Sequence, residues 1–312
     1  MAETLARTYN FLRWSVIALL GVLMVSVIWQ TVGSGCLLVS VSAYYHTPVR
    51  IVFVGSLFAL GAALIAYQGR TPREDTLLNF SGLMAFLVAL VPTLEKKRCG
   101  AQDVGSHFPW ISLADEHVVP KSGDEDIASA VANNYWALMI VTSIVLVAVL
   151  CSRLRSNQKL GLHLLVGRID NRKERIWTAW ITVVCGVVLV GECALFLRWR
   201  EQFIAWTHGI ASLAMVIGVI GVMVLNLRRV RAKDTGRSGF YRAWYRALIL
   251  VLFPGLLIVA GLVWVAVGWD FLIFYLEIVV LLDFIAYWVV QTRELREPAA
   301  PERGEEPVQV PA

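Results

Sequence analysis

Two long apolar runs, 177–197 and 203–226, are separated only by the charged turn Arg198-Trp199-Arg200-Glu201-Gln202. Each is long enough to cross a bilayer, since about 20 residues at about 1.5 Å rise span the hydrocarbon. The pair reads as an antiparallel helical hairpin. Glu192 and His208 are equidistant from Arg200, about two helical turns to either side. That symmetry sets both side chains at one depth, roughly 10 Å inside the turn. A carboxylate and an imidazole are costly in hydrocarbon, so they are expected to face protein or water rather than lipid.

The rest of the chain follows the same pattern. Of 312 residues, 58% are hydrophobic and 16% charged, with a mean hydropathy of +0.66. Soluble domains carry about 25% charged residues. The expectation is an all-α polytopic transmembrane bundle of about eight spans, near 14–30, 50–68, 77–94, 134–152, 177–197, 203–226, 247–268 and 270–290. Residues 1–295 form a single transmembrane domain with an outer loop at 95–133. The tail at 296–312 is rich in proline and glutamate, and it reads as disordered.

Basic residues load alternate connections: Arg70 and Arg73, then Arg153 to Arg175, then Arg228 to Arg242, with Arg7, Arg13, Arg293 and Arg296 at the ends. The positive-inside rule then makes both termini cytoplasmic in a plasma (inner) membrane. The net charge of +5 reports topology and is no sign of a nucleic-acid partner; the partners expected are membrane lipids and other membrane proteins. No signal-peptide pattern precedes the first span. Trp29, Trp136, Trp199 and Trp269 fall at the outer boundary, and Trp14, Trp177, Trp244 and Trp288 at the inner one, as interfacial belts. The five cysteines lack metal-ligand spacing. Cys36 and Cys99 both fall outside, where a disulfide can form.

Polar residues gather near the outer ends of the spans. Tyr44, Tyr45 and His46 precede Pro48, which starts the second span. Interfacial anchoring accounts for the tyrosines, and a place at the mouth of a cavity is the other reading. Glu277 has the same offset past Trp269 that Glu192 and His208 have from Arg200. Glu192, His208 and Glu277 would therefore converge in a pocket opening outward, with Tyr45 and His46 at its entrance. Local pairing of Glu192 with Arg198 or Arg200, and snorkelling of Glu277, stand against that. Asp283 lies deeper, opposite Pro254, and reads as a structural donor to a backbone carbonyl.

Two resemblances attach to these residues. S-V-S-A-Y-Y-H-T-P-V-R-I-V-F-V-G at 40–55, R-E-D-T-L-L-N-F-S-G at 73–82, V-A-L-V-P-T at 88–93 and the segment 274–295 resemble a group of uncharacterised bacterial multi-spanning proteins. That likeness implies no activity. Ser42 and His46 also match the early Ser-x-x-x-His spacing of the CREST superfamily, which includes alkaline ceramidases and adiponectin-receptor relatives. It implies a zinc-dependent lipid hydrolase. The late His-x-x-x-His of that superfamily has Ser212 in its second place here.

Three functions stay open on the sequence. The first is a protein whose outward polar pocket, lined by Tyr45, His46, Glu192, His208 and Glu277, binds a lipid or small ligand. The second is a metal-assisted lipid hydrolase in which His46 and His208 hold zinc, Ser42 polarises the substrate, and Glu192 or Glu277 is the base. The third is a structural or assembly subunit without a ligand.

Overall fold

The computed structural model describes residues 2–93, 124–155, 172–232, 238–267 and 271–296. Among them every regular element is helical. Helix α1 covers Ala2–Ser34, α2 Arg50–Ala66, α3 Pro72–Leu90, α4 Asp124–Arg155, α5 Arg172–Arg198 and α6 Arg200–Ala232. Helix α7, Ser238–Leu250, runs through a π-helical turn at Val251–Gly255 into α8, Leu256–Val267, and α9 is Leu272–Arg296. A 3₁₀ turn, Ser42–His46, lies in the connector between α1 and α2.

Among the described residues, five helical segments are long and apolar enough to cross a membrane: Arg7–Ser34, Arg175–Arg198, Arg200–Val230, Ser238–Val265 and Leu272–Leu295. Arg50–Ala66 is a shorter apolar helix. Several helices overrun the apolar runs read from sequence, because hydropathy marks the part in hydrocarbon while backbone hydrogen bonding continues into polar flanks. Helix α4 thus begins at Asp124, inside the stretch 95–133 read as loop. Cys99, the turn at 268–270 and the tail from 297 lie outside the described residues.

Helix α3 is the centre of the bundle, packed most extensively on α6 and α2. Small residues permit this. A Cβ at Gly61 would meet the Gly82 carbonyl oxygen at 2.7 Å, and a Cβ at Gly82 would meet the Gly61 oxygen at 2.6 Å. Such approach lets backbones pack closely where no hydrophobic force drives helices together. The outward faces are apolar: Val25, Val32, Val187, Val190, Leu213, Leu257 and Val265 are all exposed. Water would make that surface expensive; lipid tails would not.

The two ends of the bundle differ. The end with the termini of α2 and α3 at 66–72 holds an ion pair: the Arg229 guanidinium donates to Glu74 Oε2 at 2.5 Å. Glu74 also accepts from the Arg70 amide, just before the N-cap, while its own amide donates to Thr71 Oγ1, which caps α3. Asn226 donates to the Tyr287 hydroxyl at 2.9 Å and accepts from Arg229 at 2.7 Å. Burial pushes the neighbouring Asp75 carboxyl above its usual range; an amide bond from Gly69 opposes this, and the Glu74 charge adds to it. Trp288 is buried against Tyr67, with ring centroids 5.4 Å apart, so it is not one of the belt residues. Trp14, Trp29, Trp136, Trp177, Trp199 and Trp244 are exposed.

Candidate functional site

The opposite end is organised by the connector 35–49. Helix α1 stops at Ser34, and Gly35 takes the left-handed conformation at φ 64°, which turns the chain inward. The connector then lies across the start of α9. The Phe274 amide, in the first turn of α9 and without an intrahelical acceptor, donates to the Val39 carbonyl at 3.0 Å. Glu277, less than a turn further on, returns the favour. Its Oε2 accepts from the Val41 amide at 2.6 Å and the Ser42 amide at 3.3 Å, which caps the 3₁₀ turn.

Ser42 joins this carboxylate to the imidazole. Its Oγ lies 2.8 Å from Glu277 Oε1 and 2.9 Å from His208 Nε2. The other ring nitrogen, Nδ1, is 2.6 Å from the Val91 carbonyl oxygen. Val91 ends α3 in an extended conformation, the one favoured before proline, and Pro92 follows it. Its carbonyl is thereby free to meet α6. Ser42 and His208 are buried and Glu277 is partly buried. The connector, α6 and α9 meet at a single hydroxyl, and α3 joins them through the far side of the imidazole.

The tautomer follows from the partners. A carbonyl only accepts, so Nδ1 of His208 carries hydrogen. Nε2 and Glu277 Oε1 then face Ser42 Oγ from two sides. If His208 is neutral and Glu277 ionised, both are acceptors and the hydroxyl has one hydrogen for them. One added proton, on Glu277 or on Nε2, satisfies both contacts.

The remaining residues singled out in the sequence fall nearby but on other bonds. Glu192, 2% exposed, accepts from Thr207 Oγ1 at 2.6 Å across the α5–α6 hairpin. Among the described contacts it has no bond to His208 or Glu277. Adjacent residues on α6 point in directions about 100° apart, so Thr207 serves α5 while His208 serves α3 and the connector. His46 Nε2 lies 2.9 Å from the Thr93 carbonyl oxygen. Tyr45 is buried, and its hydroxyl accepts from Arg50 at 2.7 Å, the guanidinium carbon 4.4 Å from its ring centre. The Tyr44 hydroxyl is bonded to Thr31. Thr207 and the Val91 carbonyl were not singled out in the sequence; Pro92 was the available signal for the second.

Zinc can be tested against these residues. Both nitrogens of His208 are engaged, so a metal there would have to displace Val91 or Ser42. His46 is held by a different carbonyl. Among the described residues no group of three or more His, Cys, Asp or Glu side chains is placed to hold a metal ion. The donor set does not fit a three-histidine site. Asp283 is buried, its Oδ2 without a hydrogen-bond partner among the described residues. Pro254 lies in the π-helical turn, where an extra residue per turn accommodates its ring.

Compared with known proteins, the chain matches no family model, no curated protein and no solved structure.

Proposed function

We propose that this is a multi-pass protein of the plasma (inner) membrane, with eight spans, both termini cytoplasmic, and an outward-facing polar site for a lipid or small ligand at the connector. The eight spans are α1 to α6, the α7–α8 unit and α9. The basic loading of the connections at 70–73, 153–175 and 228–242 supports the orientation. It puts Glu74–Arg229 inside and the connector outside.

The observation that carries the ligand reading is the junction of Glu277, Ser42 and His208. A carboxylate, a hydroxyl and an imidazole within one another's reach near a membrane surface offer both donors and acceptors to a polar headgroup. Purely apolar packing would have served the helices at lower desolvation cost. His46, Tyr45 and Arg50 extend the polar set along the chain, and Val32 and Ile51, on the helices that border the connector, expose apolar area suited to acyl chains.

Native mass spectrometry of the detergent-purified protein, with identification of what it releases, tests the reading. A molecule retained by the wild type and lost from a folded His208→Ala variant is the expected result. Identical co-purifying molecules in both would refute the site.

A further inference from the structure

We infer that Glu277, Ser42 and His208 together bind one proton, which latches the connector onto α6 and α9 and is released as pH rises. This deepens the proposed ligand site, and it rests on that reading only for what the latch controls: access past the connector. The proton itself follows from counting.

Three bonds fix the count. His208 Nδ1 must donate to the Val91 carbonyl, 2.6 Å away. Ser42 Oγ must then satisfy Nε2 at 2.9 Å and Glu277 Oε1 at 2.8 Å. With no added proton, one of these contacts sets lone pair against lone pair. With one, two arrangements are complete. In the first, the Glu277 carboxylic acid donates to Ser42 and the serine hydroxyl donates to neutral His208. In the second, the His208 imidazolium donates to Ser42 and the hydroxyl donates to the Glu277 carboxylate. They interconvert when each of the two hydrogens shifts along its own bond. No bond between heavy atoms changes, and no charge leaves the cluster.

Other titratable groups on the packed elements are engaged elsewhere. On the connector, His46 is bonded to the Thr93 carbonyl, the Tyr44 hydroxyl to Thr31 and the Tyr45 hydroxyl to Arg50. On α5, Glu192 accepts from Thr207 of α6. On α9, Tyr275 packs edge-on against Phe274 with centroids 5.5 Å apart, and Asp283 lies further along the helix. The end of α3 from Val88 to Thr93 has no titratable side chain. None of these supplies the missing hydrogen to Ser42.

The sign follows from linkage. The latched form holds one proton in the cluster. An opened form, with both groups solvated, holds none once the pH is above the ordinary histidine value of about 6.5. The latch is therefore fully present at lower pH and is lost as pH rises, at up to tenfold in its opening equilibrium per pH unit. Below about pH 6.5 the opened histidine also takes up a proton, and the dependence levels off.

Hydrogen exchange at the Val41 and Ser42 amides of the full-length protein in lipid nanodiscs reads the latch. Rates are taken from mildly acidic to alkaline pH and corrected for intrinsic exchange. In the wild type, protection should fall by up to tenfold per pH unit above about pH 6.5, for as long as the latched form keeps its proton. Glu277→Gln should remove that slope, because its amide nitrogen donates to Ser42 and its oxygen still accepts from Val41 without any added proton. A flat wild-type profile would overturn the inference, and so would a Glu277→Gln variant that keeps the wild-type slope. Should that variant fail to fold, Ser42→Ala removes the shared oxygen, and survival of the slope there counts equally against it. No ligand is involved, so these outcomes are independent of the mass-spectrometric test.

Discussion

Ser42 Oγ lies 2.9 Å from Nε2 of His208, although 166 residues separate them in the chain. The contact ties the connector after α1 to the middle of the sequence, and Glu277 ties it to the end. Removing the hydroxyl leaves the His208 ring and the Glu277 carboxylate without their common partner. Ser42→Ala should therefore destabilise the protein by about 1–3 kcal/mol, the cost of leaving buried polar groups unsatisfied. Thermal unfolding in detergent checks this, and an unchanged midpoint would show that the hydroxyl has little structural weight.

Glu74 and Arg229 make the corresponding tie at the other end. Glu74 is 1% exposed, so Arg229→Ala would leave a buried carboxylate with its cation removed. The expected loss is about 3–5 kcal/mol, with the Glu74→Ala, Arg229→Ala pair losing less than the sum of the single changes. A double-mutant cycle on unfolding measures the coupling; simple additivity would contradict the pairing.

The approach of α2 to α3 is tested at Gly82. An added side chain would meet the Gly61 carbonyl at 2.6 Å, while at Gly55 it would meet nothing within 4 Å. Gly82→Ala is expected to cost about 1–3 kcal/mol as overpacking, and Gly55→Ala to be neutral or better. Comparable folded yields for the two variants would show that α2 and α3 pack less closely.

Orientation is tested by cysteine labelling in intact cells. Pro48 and Gln68 are both exposed, at opposite ends of α2. Pro48→Cys should react with a membrane-impermeant maleimide without permeabilisation, and Gln68→Cys only after it. The reverse pattern would invert the topology and turn the polar site toward the cytoplasm.

The sequence carries an expectation of depth but none of direction around each helix. Equal offsets from the turns marked Glu192, His208 and Glu277 as lying at one level, because rise per residue is fixed. Which neighbour each side chain meets depends on helix rotation and crossing, and α6 splits adjacent residues between two partners: Thr207 to Glu192, and His208 to Ser42. Ser42 entered through a spacing it shares with known hydrolases, yet its observed partners are His208 and Glu277. The Val91 carbonyl carries no side-chain signal at all. Trp288 was read as an anchor from its place near a span end, but tertiary packing on Tyr67 took it inside. The apolar faces, by contrast, could be read directly, since lipid exposure is a property of composition over whole runs.

The most direct measurement is an experimental density map of the protein in lipid nanodiscs made from its native membrane, read at the connector. Non-protein density bordered by Tyr45, His46 and the Ser42–His208–Glu277 junction is the expected result. At alkaline pH, where the latch is released, a junction still sealed by the connector, with lipid density only along exposed faces such as Val25, Val187 and Leu257, would contradict the ligand site and leave the three side chains as helix ties.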